Sequence, residues 1–459
     1  MDKKILLIIA IAFVLRIIFL SHWLEDWDSV QFALALHHYS IILDQPHAPG
    51  YPLYELMGKF LSIFLNDDNR SLTLLSALLG SLAAVPLYLL TLLMFDKKIA
   101  VVSSVLFLLT PIEWTLSTVA LTNVPGLFFL ILFTYFLYKY SKNPKILPLV
   151  SLFGGFILGV RFTEFPVIFS LLVFILLKGK DVKLFIISLL AFIAGIMLWL
   201  IPLVIITTPE GFLNSYQTIA KYITYHDSVI GQESNLISTL KLRLRGFSYL
   251  FSIGYTNFFI LISLSSLVIL FFKKGFRQFN YQFLLIWLFS YLIPLIFYYN
   301  LEVTRYTLPL LPPLVILVCS IIFRITKSGY LYFFIGIIAI VLVYQSLDQL
   351  IRFSRTTPPS IAPVQYVTKN YNPKNISIIA TFTYRQFQYY APSHQVFYGD
   401  KIDDDAQLKE FVALDYLDIK SKIKKLDGYY VFSKQEFSGD KDIFNRLNNT
   451  KLYILKKNE

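Results

Sequence analysis

The 459-residue sequence has a single cysteine, Cys319, which lies inside an apolar run. A disulfide framework and a thiolate metal site are thereby excluded, and redox chemistry with them. Charge is also scarce: 15% of residues are charged and 56% are hydrophobic. A soluble core cannot hide so much apolar surface, so the bilayer is the expected solvent. No small-residue cleavage site precedes His22 and Trp23 after the opening MDKK and its apolar run, so a retained first helix is expected. Neither a long low-complexity segment nor a sequence repeat is evident.

The chain does carry an excess of basic residues, 41 Lys and Arg against 29 Asp and Glu. In a soluble protein this balance would suggest nucleic acid. Here the basic residues sit in short loops between apolar runs and read as topology signals, with no nucleic-acid partner. Eleven apolar runs are readable: 5–24, 72–95, 99–119, 124–138, 146–160, 165–177, 184–206, 247–272, 281–299, 306–323 and 330–350. The expected class is therefore a polytopic α-helical membrane protein of about eleven transmembrane helices, with its N-terminus in the cytoplasm. That orientation puts Lys3, Lys4, Lys97, Lys98, Lys178, Lys180 and Arg324 inside. It gives the opposite face the long segments, including residues 25–71 and 207–246.

After residue 351 the composition changes sharply. Residues 1–351 form the expected transmembrane domain, with an outer loop at 25–71, and residues 352–459 a small extracytoplasmic α/β domain. Strands are expected at 376–381, 395–398, 428–432 and 451–455, and a helix at Asp405 to Leu417. Lys420, Lys422, Lys424 and Lys425 read as a solvated helix face.

The first outer loop concentrates chemistry beside the membrane. Asp26 and Asp28 flank Trp27. A partly buried aspartate near cations is a candidate general base, and equally a candidate helix N-cap before Ser29. About twenty residues on, His47-Ala48-Pro49-Gly50-Tyr51-Pro52 is a turn whose prolines fix the backbone and whose glycine permits an unusual one. His47 is placed to bond a phosphate or sugar, or to brace the loop.

These two stretches, Asp28-Ser29-Val30-Gln31-Phe32 and His47 to Pro52, resemble the Asp-Ser-Gly-Glu-Phe and His-Pro-Pro-Gly-Tyr-Pro stretches of bacterial O-mannosyltransferase-like membrane proteins. The group is the C-type (GT-C) glycosyltransferases of the protein O-mannosyltransferase and aminoarabinose transferase kind. Gln31 stands where that group has an acid and Ala48 where it has a proline, so donor and acceptor identities do not carry over.

A second match is Arg305-Tyr306-Thr307-Leu308-Pro309, which resembles the Arg-Tyr-x-Leu-Pro signature opening a late helix in such transferases. The planar fork of Arg305 suits a phosphate, and the alternatives are interfacial anchoring or a salt bridge to Glu302. The segment 116–125 looks like the family's connection between the third and fourth helices, with Asn123 where an acid often stands. Glu113 nearby is a substitute acid or a structural one. Arg161 and Glu164 read either as lining a polar cavity or as a plain ion pair. The loop bearing Tyr216, Tyr222, Tyr225, His226 and Asp227, then Lys241, Arg243 and Arg245, reads as a gate or as a basic patch meeting lipid headgroups.

The resemblance implies an extracytoplasmic glycosyltransferase that moves a sugar from a polyprenyl- or dolichyl-phosphate donor to a glycan, lipid or protein acceptor. Asp28 would be the catalytic base, with Asp26, His47, Tyr51, Arg161, Arg305 and Tyr306 binding substrate. The residues demand no cofactor, and a divalent cation held by Asp26 and Asp28 stays open. The rival readings are an oligosaccharide ligase with a pyrophosphate-linked donor and a non-enzymatic lipid or sugar transporter. A transporter calls for charges near mid-membrane, whereas most charges here gather at the membrane faces.

Overall fold

The computed structural model describes residues 3–228, 236–272, 275–299, 303–326, 328–399, 408–415, 426, 428–438 and 449–458. Long apolar helices dominate up to Arg355, and a five-stranded sheet follows.

Local chemistry fixes many helix starts. The carboxylates of Asp67, Asp96 and Asp181 accept from the backbone N–H groups of Arg70, Lys98 and Leu184 respectively, at 2.9, 2.7 and 3.0 Å. Proline opens the Pro52–Leu65, Pro111–Leu116 and Pro209–Tyr222 helices, where its missing N–H costs nothing.

Among the described residues six helices are long and apolar enough to cross a bilayer: Asp68–Met94, Phe162–Gly179, Val182–Thr207, Phe279–Tyr298, Thr304–Ile325 and Tyr330–Arg355. A seventh span results if the sharply bent pair Arg243–Tyr255 and Asn257–Phe272 is one unit. The other runs among the expected eleven also fold as helices, shorter, broken or less apolar than these. The run 5–24 folds as the shorter Lys3–Ile18 helix, and the run 146–160 as Leu147–Ile157. The run 99–119 breaks at Thr110, which is extended before Pro111, so it yields Lys97–Leu109 and Pro111–Leu116. Proline disfavours helical backbone in the residue before it, which explains the break.

The Leu311–Ile325 helix lies at the centre, with every residue from Leu311 to Ile321 buried. The Val182–Thr207 helix is at the periphery and exposes Ile186, Leu190, Ile201 and Ile205, as a lipid-facing element does. It meets Leu147–Ile157 backbone to backbone. A Cβ on Gly155 would stand 2.0 Å from the Phe192 carbonyl oxygen, and one on Gly195 2.0 Å from that of Leu152. Trp199 Nε1 donates to the Gly155 carbonyl across the same contact at 3.2 Å.

The C-terminal sheet comprises β1 (Ile376–Ala380), β2 (Gln395–Tyr398), β3 (Phe411–Asp415), β4 (Tyr429–Ser438) and β5 (Asn449–Lys457), in the order β2-β1-β3-β5-β4. β1 runs parallel to β2 and β3, while β5 is antiparallel to β3 and β4. One face packs Ile376, Ile378, Ala413, Leu452 and Ile454 on the Ala362–Asn370 and Tyr384–Tyr390 helices through Val364, Val367 and Phe387. The other face gathers Ile379, Val412, Leu414 and Leu455, which is the period-two alternation of a strand. All four expected strands are present. The helix expected over Asp405 to Leu417 is corrected at its middle, where Phe411–Asp415 is β3. Pairing on both edges overrides helix propensity there. The rest of that stretch, and Lys420, Lys422, Lys424 and Lys425, lie outside the described residues.

Candidate active site

Two separate segments bring a cation and two carboxylates together. Asp26 caps the Trp27–Ala35 helix by accepting from the Asp28 backbone N–H at 2.9 Å, which leaves both carboxylates on the first turn. Arg305 comes from the short 3-10 turn Thr304–Leu310 that opens the central helix. One terminal nitrogen of Arg305 is 2.6 Å from Asp26 Oδ2, and the other is 2.6 Å from Asp28 Oδ2. The guanidinium also lies 5.8 Å from the centre of the Tyr306 ring. The alternatives left open for Asp26 and Asp28 thus divide: Asp26 is the cap and Asp28 is not. The Asp28 side chain is 27% exposed and that of Asp26 15%, so Asp28 is the carboxylate open to an incoming group. The alternative partner Glu302 lies outside the described residues.

The His47–Pro52 turn forms the neighbouring wall. Gly50 has φ +94°, a conformation that favours glycine, and Tyr39 OH donates to its carbonyl at 2.8 Å. His47 Nδ1 donates to Gln31 Oε1 at 2.6 Å, and His47 Nε2 accepts from Tyr51 OH at 3.0 Å. Gln31, marked in the sequence as a departure, is therefore the group that fixes the imidazole tautomer. His47 Nδ1 also stands 3.9 Å from Asp28 Oδ1. Burial holds the Tyr51 phenol above its ordinary range, and Asp28, Arg161, Arg305 and Tyr306 all lie within electrostatic reach of it.

Arg161 and Glu164 are both buried at the turn between Leu147–Ile157 and Phe165–Gly179. Arg161 donates to Thr122 Oγ1 at 2.6 Å, and its Nε is 3.7 Å from Glu164 Oε1. The turn is tied to the wall opposite, since Leu53 N donates to the Gly159 carbonyl at 3.1 Å. Asn123 reaches the site differently from an acid, donating from Nδ2 to the Arg305 carbonyl at 3.3 Å.

Other expected groups lie elsewhere. Glu113 is engaged by Arg16, a residue to which the sequence gave no role, and does not join the Asp26–Arg305–Asp28 cluster. Arg243 is corrected as a headgroup contact: it is buried, and it donates to the carbonyls of Ile296 and Tyr299 at 3.0 and 2.9 Å. Tyr216, Tyr222 and Tyr225 are exposed, and the side chains of His226 and Asp227 lie outside the described residues.

The fold, with a helical membrane body and a small C-terminal sheet, is that of the C-type integral membrane glycosyltransferases. Residues 46–206 match the family model of dolichyl-phosphate-mannose-protein mannosyltransferases. His47, Tyr51, Arg161 and Glu164 fall inside that segment, while Asp26, Asp28 and Arg305 fall outside it. ArnT from Cupriavidus metallidurans bound to undecaprenyl phosphate superposes with a TM-score of 0.64 at 10% identity, over 98% of each chain. The Archaeoglobus fulgidus oligosaccharyltransferase tethered with an acceptor peptide gives 0.52 at 13% identity, over 86% of this chain and 64% of that one. The archaeal oligosaccharyltransferase AglB from Archaeoglobus fulgidus, in complex with an inhibitory peptide and a dolichol-phosphate, gives 0.51 at 11% identity, over 90% of this chain and 69% of that one. No curated protein matches the chain by sequence.

Proposed function

We propose that this protein transfers a sugar from a polyprenyl-phosphate donor to an acceptor hydroxyl on the extracytoplasmic face, with Asp28 as general base and inversion at the anomeric carbon. The observation that carries this reading is the Asp26–Arg305–Asp28 bridge. It orients Asp28 against a fixed positive charge while leaving that carboxylate the more open of the two. The acceptor oxygen attacks the anomeric carbon as its proton passes to Asp28, the bond to the phosphate oxygen breaks, and the lipid phosphate leaves as an anion.

The phosphate lies against Arg305, His47, Tyr51, Arg161 and Tyr306. Two N–H groups of Arg305 bond the carboxylates in the bridge, and a guanidinium has five, so its free edge still donates to an anion. Arg161 supplies a second positive charge beside Tyr51. Lipid-phosphate binding by the ArnT and AglB structures supports this donor class. The peptides bound in the two oligosaccharyltransferase structures leave the acceptor here open between protein, glycan and lipid. In this reading residues 1–351 carry the transfer site, the N-terminus is cytoplasmic, and residues 352–459 face outside.

The test is release of undecaprenyl phosphate from a panel of undecaprenyl-phosphate-linked hexoses and pentoses by the purified protein, read by mass spectrometry. Asp28→Asn is nearly isosteric, leaves the Asp26 cap in place, keeps an oxygen that accepts from Arg305, and accepts no proton usefully, so folding is expected to persist. Turnover is expected to fall by roughly two to four orders of magnitude with donor KM retained. Near-normal turnover of Asp28→Asn ends the base assignment.

A further inference from the structure

Between Ile18 and Trp27 the chain has no repetitive structure, so backbone bonds to other segments must hold it. Beside Asp26 those bonds come from the C-terminal domain. The Glu25 carbonyl accepts from Gln386 Nε2 at 2.8 Å and from Ser360 Oγ at 3.0 Å. Leu24 N donates to Tyr390 OH at 2.8 Å. Gln386, Ser360 and Arg385 are all buried. The Arg385 guanidinium lies 5.7 Å from the centre of the Trp27 ring, between the two aspartates in sequence, and donates to the Leu43 carbonyl at 3.0 Å. Tyr384 and Tyr398 flank the same indole at 6.4 and 6.2 Å.

We propose that Gln386 and Ser360 are positioning residues for the transfer reaction: by holding the Glu25 carbonyl, they set where Asp28 meets Arg305 and the acceptor, and Arg385 steadies Trp27 in the same role. This rests on Asp28 being the base. Asp28 and Arg305 are bonded to each other but lie on separately held segments, so the geometry of their bridge depends on how each segment is held. On the Asp28 side, the C-terminal domain supplies part of that hold from more than three hundred residues away in sequence. A misplacement of about 1 Å at a reacting group costs roughly a hundredfold in rate.

The test uses full-length protein and release of undecaprenyl phosphate from the most active sugar of the panel. Gln386→Glu turns the donor into an oxygen facing the Glu25 carbonyl, and Ser360→Ala removes the second donor with little change of volume. The expected result is a kcat loss of about tenfold to a hundredfold for Gln386→Glu and a several-fold loss for Ser360→Ala, with donor KM within about threefold of wild type. In an Asp28→Asn background neither change is expected to lower turnover further, because both act through the carboxylate already removed. Wild-type kcat in both single variants overturns the proposal. So does a full multiplication of either loss onto that of Asp28→Asn, which leaves the base assignment standing. Near-normal turnover of Asp28→Asn alone removes the base and the positioning role together. Ser360→Ala keeps the test open if Gln386→Glu fails to fold.

Discussion

Arg16 of the first helix and Glu113 of the short Pro111–Leu116 helix form an ion pair with 1% and 0% side-chain exposure. Arg16 also donates to the carbonyls of Ala12 and Leu108 at 3.1 and 3.2 Å, and Ser117 Oγ donates to Glu113 Oε1 at 2.9 Å. Among the described residues Arg16 Nε has no hydrogen-bond partner, but each charge has its counter-ion only in the other. Arg16→Leu is therefore expected to cost about 3–5 kcal/mol by leaving a buried carboxylate without its cation. The double change to Leu at 16 and 113 is expected to recover most of that. Thermal unfolding in detergent checks both, and equal stability of the single and double variants refutes the coupling.

Arg305 bridges two carboxylates that a lysine ammonium cannot span with the same fork. Arg305→Lys is expected to keep measurable turnover, down roughly tenfold to a hundredfold, and Arg305→Ala to lose at least tenfold more. Wild-type kcat/KM in Arg305→Ala would remove the residue from the mechanism.

The same bridge bears on metals. A dication at Asp26 and Asp28 would have to displace a guanidinium already bonded to both. Turnover is expected to survive millimolar EDTA unchanged, and abolition by EDTA with rescue by one divalent metal would assign the pair to a cation instead.

A Cβ at Gly50 would sit 2.5 Å from Tyr39 OH and 2.9 Å from Ile41 Cγ2, on a backbone at φ +94°. Gly50→Ala is expected to cost more than about 1 kcal/mol and to lower turnover by moving His47 and Tyr51. The check is unfolding and kcat together, and an unperturbed enzyme shows that the turn tolerates a side chain.

Orientation is tested by labelling. A single cysteine at Ser141 is expected to react only from the cytoplasm, and one at Ser393 only from outside. The native Cys319 is buried and silent. Reaction of both from the same side overturns the assigned faces.

The loop motifs and the Arg-Tyr stretch were legible because their chemistry is local: charge beside aromatics, proline and glycine at a turn. Their convergence was not, since Asp28 and Arg305 are nearly three hundred residues apart and only the packed bundle joins them. Element boundaries shifted where hydropathy hides a backbone break, as at Thr110–Pro111. Arg16 left a readable signal, a lone arginine inside an apolar run, which calls for a buried partner. Gln386 and Ser360 left none: a polar residue in a soluble-looking domain does not announce that it bonds a carbonyl beside a distant aspartate.

The glycine contact between Leu147–Ile157 and Val182–Thr207 has a mechanical consequence. Two helices touching backbone to backbone have no side-chain layer to act as a bearing, so they move as one girder. The turn bearing Arg161 is mounted on the end of that girder, and the bond from Leu53 N to the Gly159 carbonyl fastens the His47–Pro52 wall to the same mount. These two walls therefore share a single mount. The Arg305 turn is fastened to it in its own way, because Asn123, next to the Thr122 that Arg161 bonds, donates to the Arg305 carbonyl.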